Sequence, residues 1–216
     1  EPRQGASTTK MMTAYVVLEY AREHPKVLDE IVTFSSVADN TVGSTSAIRA
    51  GEQVSVRNLL YGLLLASGND ASVALAEHFG EKWVPGATEN ADTPSDKPYL
   101  AFVSKMNNTA KKLGMRDTLY KNTHGLPDEE HVTTATDLLQ LASHAMRDEL
   151  FRKIVSTRQF GCTLKSVQGY ERNTIWKTTN RLLGIEGFCG IKTGTTNAAG
   201  SCLVSCGEYQ GDRLIT

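Results

Sequence analysis

Ser7 and Lys10 stand three residues apart at the head of a nearly all-apolar run, residues 11–21 (MMTAYVVLEYA). If Ser7 opens the helix that this run predicts, Lys10 lies one turn on along the same face, and a hydroxyl and an amine sit side by side. A serine hydroxyl becomes a useful nucleophile only when a neighbour takes its proton. An ordinary lysine, with a pKa of about 10.4, is already protonated at neutral pH. Burial, the positive end of a helix and a second cation each disfavour the ammonium form. The run is apolar on every side, the pattern of a helix at a domain centre, and Lys192 is available as the second cation. The same two residues would also serve as a plain N-cap and a solvated first-turn lysine, so the pair alone does not fix the chemistry.

Two other short stretches supply what the pair lacks. Ser67-Gly68-Asn69 interrupts two apolar helical runs, residues 56–66 and 71–79, and so presents a polar turn between two buried helices. Lys192-Thr193-Gly194, followed by Thr195-Thr196, falls in a segment with strand character. A glycine on a strand lets backbone approach a ligand closely, and a lysine beside it offers positive charge to an anionic substrate. Each triplet is a weak signal by itself. Together they come in the order nucleophile, loop, strand, each on the element its chemistry needs.

The elements that must position these residues can be read in outline. His24-Pro25 ends the first helix, and residues 26–51, rich in Ser, Thr and Val, have room for a short helix and short strands. Residues 84–98 combine three prolines with small and acidic residues and read as a surface loop, a passive insertion rather than a gate over substrate. Residues 99–113 return to a helical period that Gly114 is placed to end. Asn122-Thr123-His124-Gly125-Leu126-Pro127 is turn-rich. Thr134 with Asp137 three residues later then approximates a capping box ahead of LLQLASHAM. From Phe151 onward, short segments rich in Val, Ile, Thr, Phe, Tyr and Cys alternate with glycines and predict antiparallel strands. A helical block of about residues 7–150 followed by a strand-rich block of about 151–216 predicts a single α+β domain, an antiparallel sheet flanked by helices with a mostly helical subdomain.

Composition narrows the function classes. The 216 residues are 40% hydrophobic, enough for a sizeable core, and carry a formal net charge of −1 with basic residues scattered rather than striped. Nucleic acid is therefore not an expected partner. The longest apolar run, residues 59–66, is far short of the ~20 residues that span a bilayer, and no signal-peptide pattern opens the chain. The histidines form no HExxH-like cluster, so neither a metal nor a cofactor is expected. Four cysteines, Cys162, Cys189, Cys202 and Cys206, lie in the last third without CxxC spacing and suit buried thiols on strands better than disulfides.

The set Ser-x-x-Lys, Ser-Gly-Asn and Lys-Thr-Gly resembles the three motifs of the penicillin-binding proteins and β-lactamases. The wider sequence, including LLYGLLLASGNDASVALAEHFG, NTHGLP and NRLLGIEGFCGIKTGTTNAAGSCLVS, is similar to the low-molecular-mass penicillin-binding proteins that act as serine-type D-alanyl-D-alanine carboxypeptidases. The resemblance implies that Ser7 attacks the terminal D-Ala-D-Ala bond of a peptidoglycan pentapeptide and becomes an acyl-enzyme, with Lys10 as base. Ser67 would relay a proton to the leaving nitrogen. Asn69 would bind the substrate amide or steady Lys10, Lys192 would lend positive potential, and the Thr193 and Thr195 hydroxyls would take the terminal carboxylate beside Gly194. The N–H groups of Ser7 and Thr195 would form the oxyanion hole. β-Lactam antibiotics would acylate the same serine and leave slowly.

The resemblance has its departures. The residue after Lys-Thr-Gly, often histidine in relatives, is Thr195. Arg181 reads either as a helper for the substrate carboxylate or as a structural arginine. In this fold the sheet includes strands from both chain ends, so the 216 residues are expected to lack terminal strands, any signal peptide and any anchor. Membrane attachment would come only through such absent segments, and the place of action would be extracytoplasmic or secreted. A D,D-endopeptidase would use the same motifs. A β-lactamase would need a loop glutamate that Asp128, Glu129 and Glu130 do not resemble. A non-catalytic cell-wall-binding module would not need nucleophile and base together.

Overall fold

A computed structural model describes residues 1–84 and 96–216, and most of the loop expected at 84–98 lies outside them. Helix α1, Lys10–Glu23, runs through the centre of the helical layer: Met11, Met12, Ala14, Val16 and Val17 are all fully buried. With no polar stripe to turn toward water, it can sit only where other elements cover every side. Around it pack α3, Val56–Leu64, and α4, Asn69–Trp83, joined by the Ser67-Gly68 turn. α5, Asp96–Lys112, and α6, Ala135–Ala145, complete the layer. Side-chain caps open two of these helices, and the Thr134 cap is the one read from the sequence. The Ser55 hydroxyl accepts the Asn58 N–H at the start of α3, and the Thr134 hydroxyl accepts the Asp137 N–H at the start of α6. Among the described residues, no helix is long and apolar enough to cross a membrane.

The strands form two antiparallel sheets. One has the order β1 (Ile31–Thr33), β2 (Glu52–Ser55), β3 (Gln159–Ser166), β4 (Glu171–Lys177), with a short helix α2, Ser36–Asp39, between its first two strands. The other runs β5 (Phe188–Thr196), β6 (Gly200–Tyr209), β7 (Asp212–Ile215). The helical part of the chain thus lends two short strands to a sheet completed more than a hundred residues later. The strand block also begins later than its composition suggests. Residues 149–155 form a helix, α7 (Glu149–Val155), capped by Asp148, because Phe151, Ile154 and Val155 recur at helical spacing and bury one face.

The expectation of buried thiols is corrected for two of the four cysteines. Cys189 and Cys206 form a disulfide between β5 and β6. The register shift between Phe188 and Gly190 brings Cys189 beside Cys206, with Cα atoms 5.2 Å apart, within bridging reach. Cys162 and Cys202 are free.

Candidate active site

The turn that carries Ser7 is a 3-10 turn, Ala6–Thr9, so Lys10 rather than Ser7 is the first residue of α1. Ala6 enters it at φ 47°, a left-handed conformation that costs an alanine energy and turns the next residue outward. The turn is pinned at both flanks. Thr8 Oγ1 donates to Gly5 O at 2.6 Å. On the other side, the Lys121 N–H donates to His131 Nδ1, which leaves Nε2–H to donate to Thr9 Oγ1 at 2.9 Å. Gly125 presses on the same turn at φ +89°, where a Cβ would stand 1.8 Å from Ala6 O.

Lys10 is completely buried, yet its Nζ touches only neutral oxygens: Ser7 Oγ at 2.9 Å and His124 O at 2.8 Å. Burial, then the nearby Lys192, lower its pKa well below the ordinary lysine value, with Asp70 opposing. A neutral amine that gives one N–H to the His124 carbonyl can aim its lone pair at the serine hydroxyl. His124 itself, pushed down to about 3 mainly by burial, is neutral at physiological pH.

Ser67 faces Ser7 from the turn between α3 and α4. It too is held at positive φ, 59°, and is almost fully buried. Its hydroxyl receives Lys192 Nζ at 3.0 Å. Lys192, on β5, is 1% exposed, also donates to Thr193 O at 2.9 Å, and is pushed down to about 7 by burial. Two buried lysines, each on a serine hydroxyl, therefore flank one cleft, and among the described residues neither has a carboxylate in hydrogen-bond contact.

β5 forms the other wall. A Cβ on Gly194 would meet Ser7 N at 2.7 Å, so only glycine lets the strand lie against the backbone of Ser7. Thr193 Oγ1 shares a 2.7 Å hydrogen bond with Thr179 Oγ1, and Thr195 Oγ1 donates to Gly194 O. The cleft has a volume of about 670 Å³, and Arg181, Thr193, Gly194 and Thr195 line it together with both serines. A smaller recess of about 110 Å³ opens beside Ser7, bounded by Asn69, His124 and Ser44. Among the described residues, no group of three or more His, Cys, Asp or Glu is placed to hold a metal ion.

A match to the family model described as D-alanyl-D-alanine carboxypeptidase extends over residues 1–216. The chain belongs to that family. It is 35% identical over 219 residues to the D-alanyl-D-alanine carboxypeptidase of Streptomyces sp. strain K15, covering 99% of this chain and 71% of that protein. It is 32% identical to DacF of Bacillus subtilis strain 168, covering 97% of this chain and 49% of the relative. Against several curated family members the chain thus spans about half their length. Among solved structures, the Streptomyces K15 DD-transpeptidase superposes with a TM-score of 0.89 at 34% identity, covering all of this chain and 79% of that one. DacD of Francisella tularensis gives 0.81 at 30%, covering all of this chain and 59% of that one.

The eight positions singled out in the sequence of this family member converge here, with two adjustments. The Asn69 amide does not reach Lys10: its Nδ2 donates to Val42 O at 2.7 Å, and the His124 carbonyl steadies the lysine instead. Lys192 grips Ser67 rather than standing free as a point charge. Sequence reasoning missed His124 O, Thr179 and Ser44. Only the first had a signal, since His124 lies in the Asn-Thr-His-Gly-Leu-Pro stretch.

Proposed function

We propose that this chain carries the serine D-alanyl-D-alanine carboxypeptidase activity for which its family is named, removing the last D-Ala of a peptidoglycan stem peptide. The observation that carries the reading is the contact of 2.9 Å between a fully buried Lys10 amine and the cleft-facing Ser7 hydroxyl.

Ser7 Oγ attacks the carbonyl carbon of the penultimate D-Ala while its proton passes to Lys10 Nζ. The oxyanion is received by the N–H groups of Ser7 and Thr195, brought together by the close approach at Gly194. On collapse the C–N bond breaks. The leaving nitrogen takes the Ser67 hydroxyl proton, and Ser67 takes a replacement from Lys192, whose pKa of about 7 suits a donor at neutral pH. Water then attacks the ester: its oxygen ends in the product carboxylate, one of its protons on Ser7 Oγ and the other on the released amine, while the proton held by Lys10 passes back to Lys192 and resets both lysines. The Thr193 hydroxyl and Arg181 face the part of the cleft that would take the terminal carboxylate. β-Lactams enter by the same attack. Because the substrate belongs to the cell wall, the place of action is extracytoplasmic.

The Streptomyces K15 protein carries both names, carboxypeptidase and transpeptidase, and the two differ only in whether water or an amine takes the acyl group from the serine. A D,D-endopeptidase differs only in the length of leaving group. The test is D-Ala release from an N-acylated L-Lys-D-Ala-D-Ala peptide, alongside a cross-linked muropeptide and a Ser7→Ala variant. Release from the tripeptide by the parent and none by the variant is expected. Undiminished release by the variant would overturn the assignment of Ser7, and cleavage of the cross-link alone would favour the endopeptidase.

A further inference from the structure

Asp70, the residue after the Ser67-Gly68-Asn69 turn, is 1% exposed. Its carboxylate accepts Thr45 Oγ1 at 2.7 Å, Ser46 Oγ at 2.8 Å, the Ser46 N–H at 2.8 and 2.9 Å, and the Ala71 N–H at 2.8 Å. Every partner is a neutral donor, so this is a buried acid held without an ion pair, an arrangement that is costly unless every lone pair is used. Asn69 extends the grip: its backbone N–H donates to Ser44 O at 2.7 Å and its side chain to Val42 O. Residues 42–46 are thereby fastened to the turn that carries Ser67, and Ser44 lines both the main cleft and the recess beside Ser7.

The same carboxylate is also one of the charges that act on Lys10. Lys10 feels Lys192 from β5 and Asp70 from α4. From the segment behind it, His124 and His131 contribute no charge at neutral pH, being pushed down to about 3 and about 4 chiefly by burial. Burial and Lys192 alone would leave Lys10 a free amine with little affinity for a proton, and so a weak base. A negative charge nearby restores some of that affinity.

We propose that Asp70 is a positioning residue of this site: its carboxylate fastens the 42–46 wall to the Ser67–Asn69 turn and sets the field in which Lys10 takes up the Ser7 proton. The inference rests on the reading of Ser7 and Lys10 as nucleophile and base.

Thr45 offers a way to separate the two duties, because it is exposed and its hydroxyl contributes one of the contacts to Asp70. Thr45→Val loosens the wall and leaves the charge unpaired. Thr45→Lys sets an ammonium against Asp70 and cancels its field at Lys10. Second-order rate constants for acylation by benzylpenicillin are measured from pH 5 to 9 for the parent, both Thr45 variants and Asp70→Asn. Thr45→Val should lower the rate a few-fold at every pH with the acid midpoint unmoved. Thr45→Lys and Asp70→Asn should move that midpoint to lower pH by about half a unit, since losing a negative neighbour makes the lysine give up its proton more readily. Coincident midpoints in Thr45→Val and Thr45→Lys would overturn the proposal, and that comparison stands even if Asp70→Asn does not fold. A parent that is never acylated would instead overturn the underlying reading.

Discussion

Two of the places where this molecule buries charge treat it in opposite ways. At the start of β2, across β3 from β4, the side chain of Glu52 is wholly hidden, but Arg172 grips it with Nε and Nη2, the Arg49 N–H donates to it at 2.8 Å, and the Tyr170 hydroxyl at 3.2 Å. In the cleft, Lys10 and Lys192 are hidden as deeply, and each finds only a serine hydroxyl and a backbone carbonyl. The first arrangement keeps its charges and ties β4 to the loop before β2. The second makes the charged form unfavourable, lowering the pKa of Lys10 well below the ordinary lysine value and that of Lys192 to about 7. Buried ionisable groups without counterions, in a cleft and against hydroxyls, mark chemistry, whereas a fully partnered one marks architecture.

The contrast can be broken from either side. Lys10→Met removes the base while filling the same space; acylation by benzylpenicillin, followed by intact mass over time, should fall about 10³-fold. A fall of less than tenfold would remove Lys10 from the mechanism. Arg172→Met strands Glu52 in the interior, and urea unfolding should report a loss of about 3 kcal/mol, with acylation of the folded protein within about tenfold of the parent.

Lys192→Met should do the reverse, stopping acylation without lowering stability at pH 7 and raising it by about 1 kcal/mol. The sign follows from a folded-state pKa of about 7 against an ordinary 10.5. Between those values the unfolded chain binds a proton at this position that the folded chain refuses, so parental stability should rise with pH through that window. It should rise less steeply in the variant. Equal slopes would mean that Lys192 remains charged in the fold.

Much of the site was legible because its side chains sit in short contiguous motifs whose spacing is itself the geometry: Ser7 and Lys10 on successive turns, Thr193 and Gly194 beside Lys192 on one strand. What was not legible depends on partners distant in the chain. The carbonyl that steadies Lys10 belongs to His124, whose side chain has no part in the contact, and Thr9 meets His131 across 122 positions. Thr179 reaches Thr193 only through the path of the chain before β5. In the fold, strands β3 to β7 followed the alternation and glycine punctuation of their sequences. β1 and α2 fall in the 26–51 stretch expected to hold short elements, but β1 and β2, three and four residues long, were too short to carry a period that would give their bounds. α7 lies at the boundary of the helical and strand-rich blocks, where Phe, Ile and Val favour strands unless their helical spacing is read. The Cys189–Cys206 bridge hung on a register shift that no local pattern announces.

The most direct test of the cleft's design is the pH dependence of Ser7 acylation by benzylpenicillin between pH 5 and 10, with the adduct mapped to its residue. A buried, neutral Lys10 predicts a rate that reaches its plateau well below the ordinary lysine range of about 10.4. A rate that kept climbing about tenfold per pH unit to pH 10 would show an ordinary protonated lysine beside the serine, and would contradict the account.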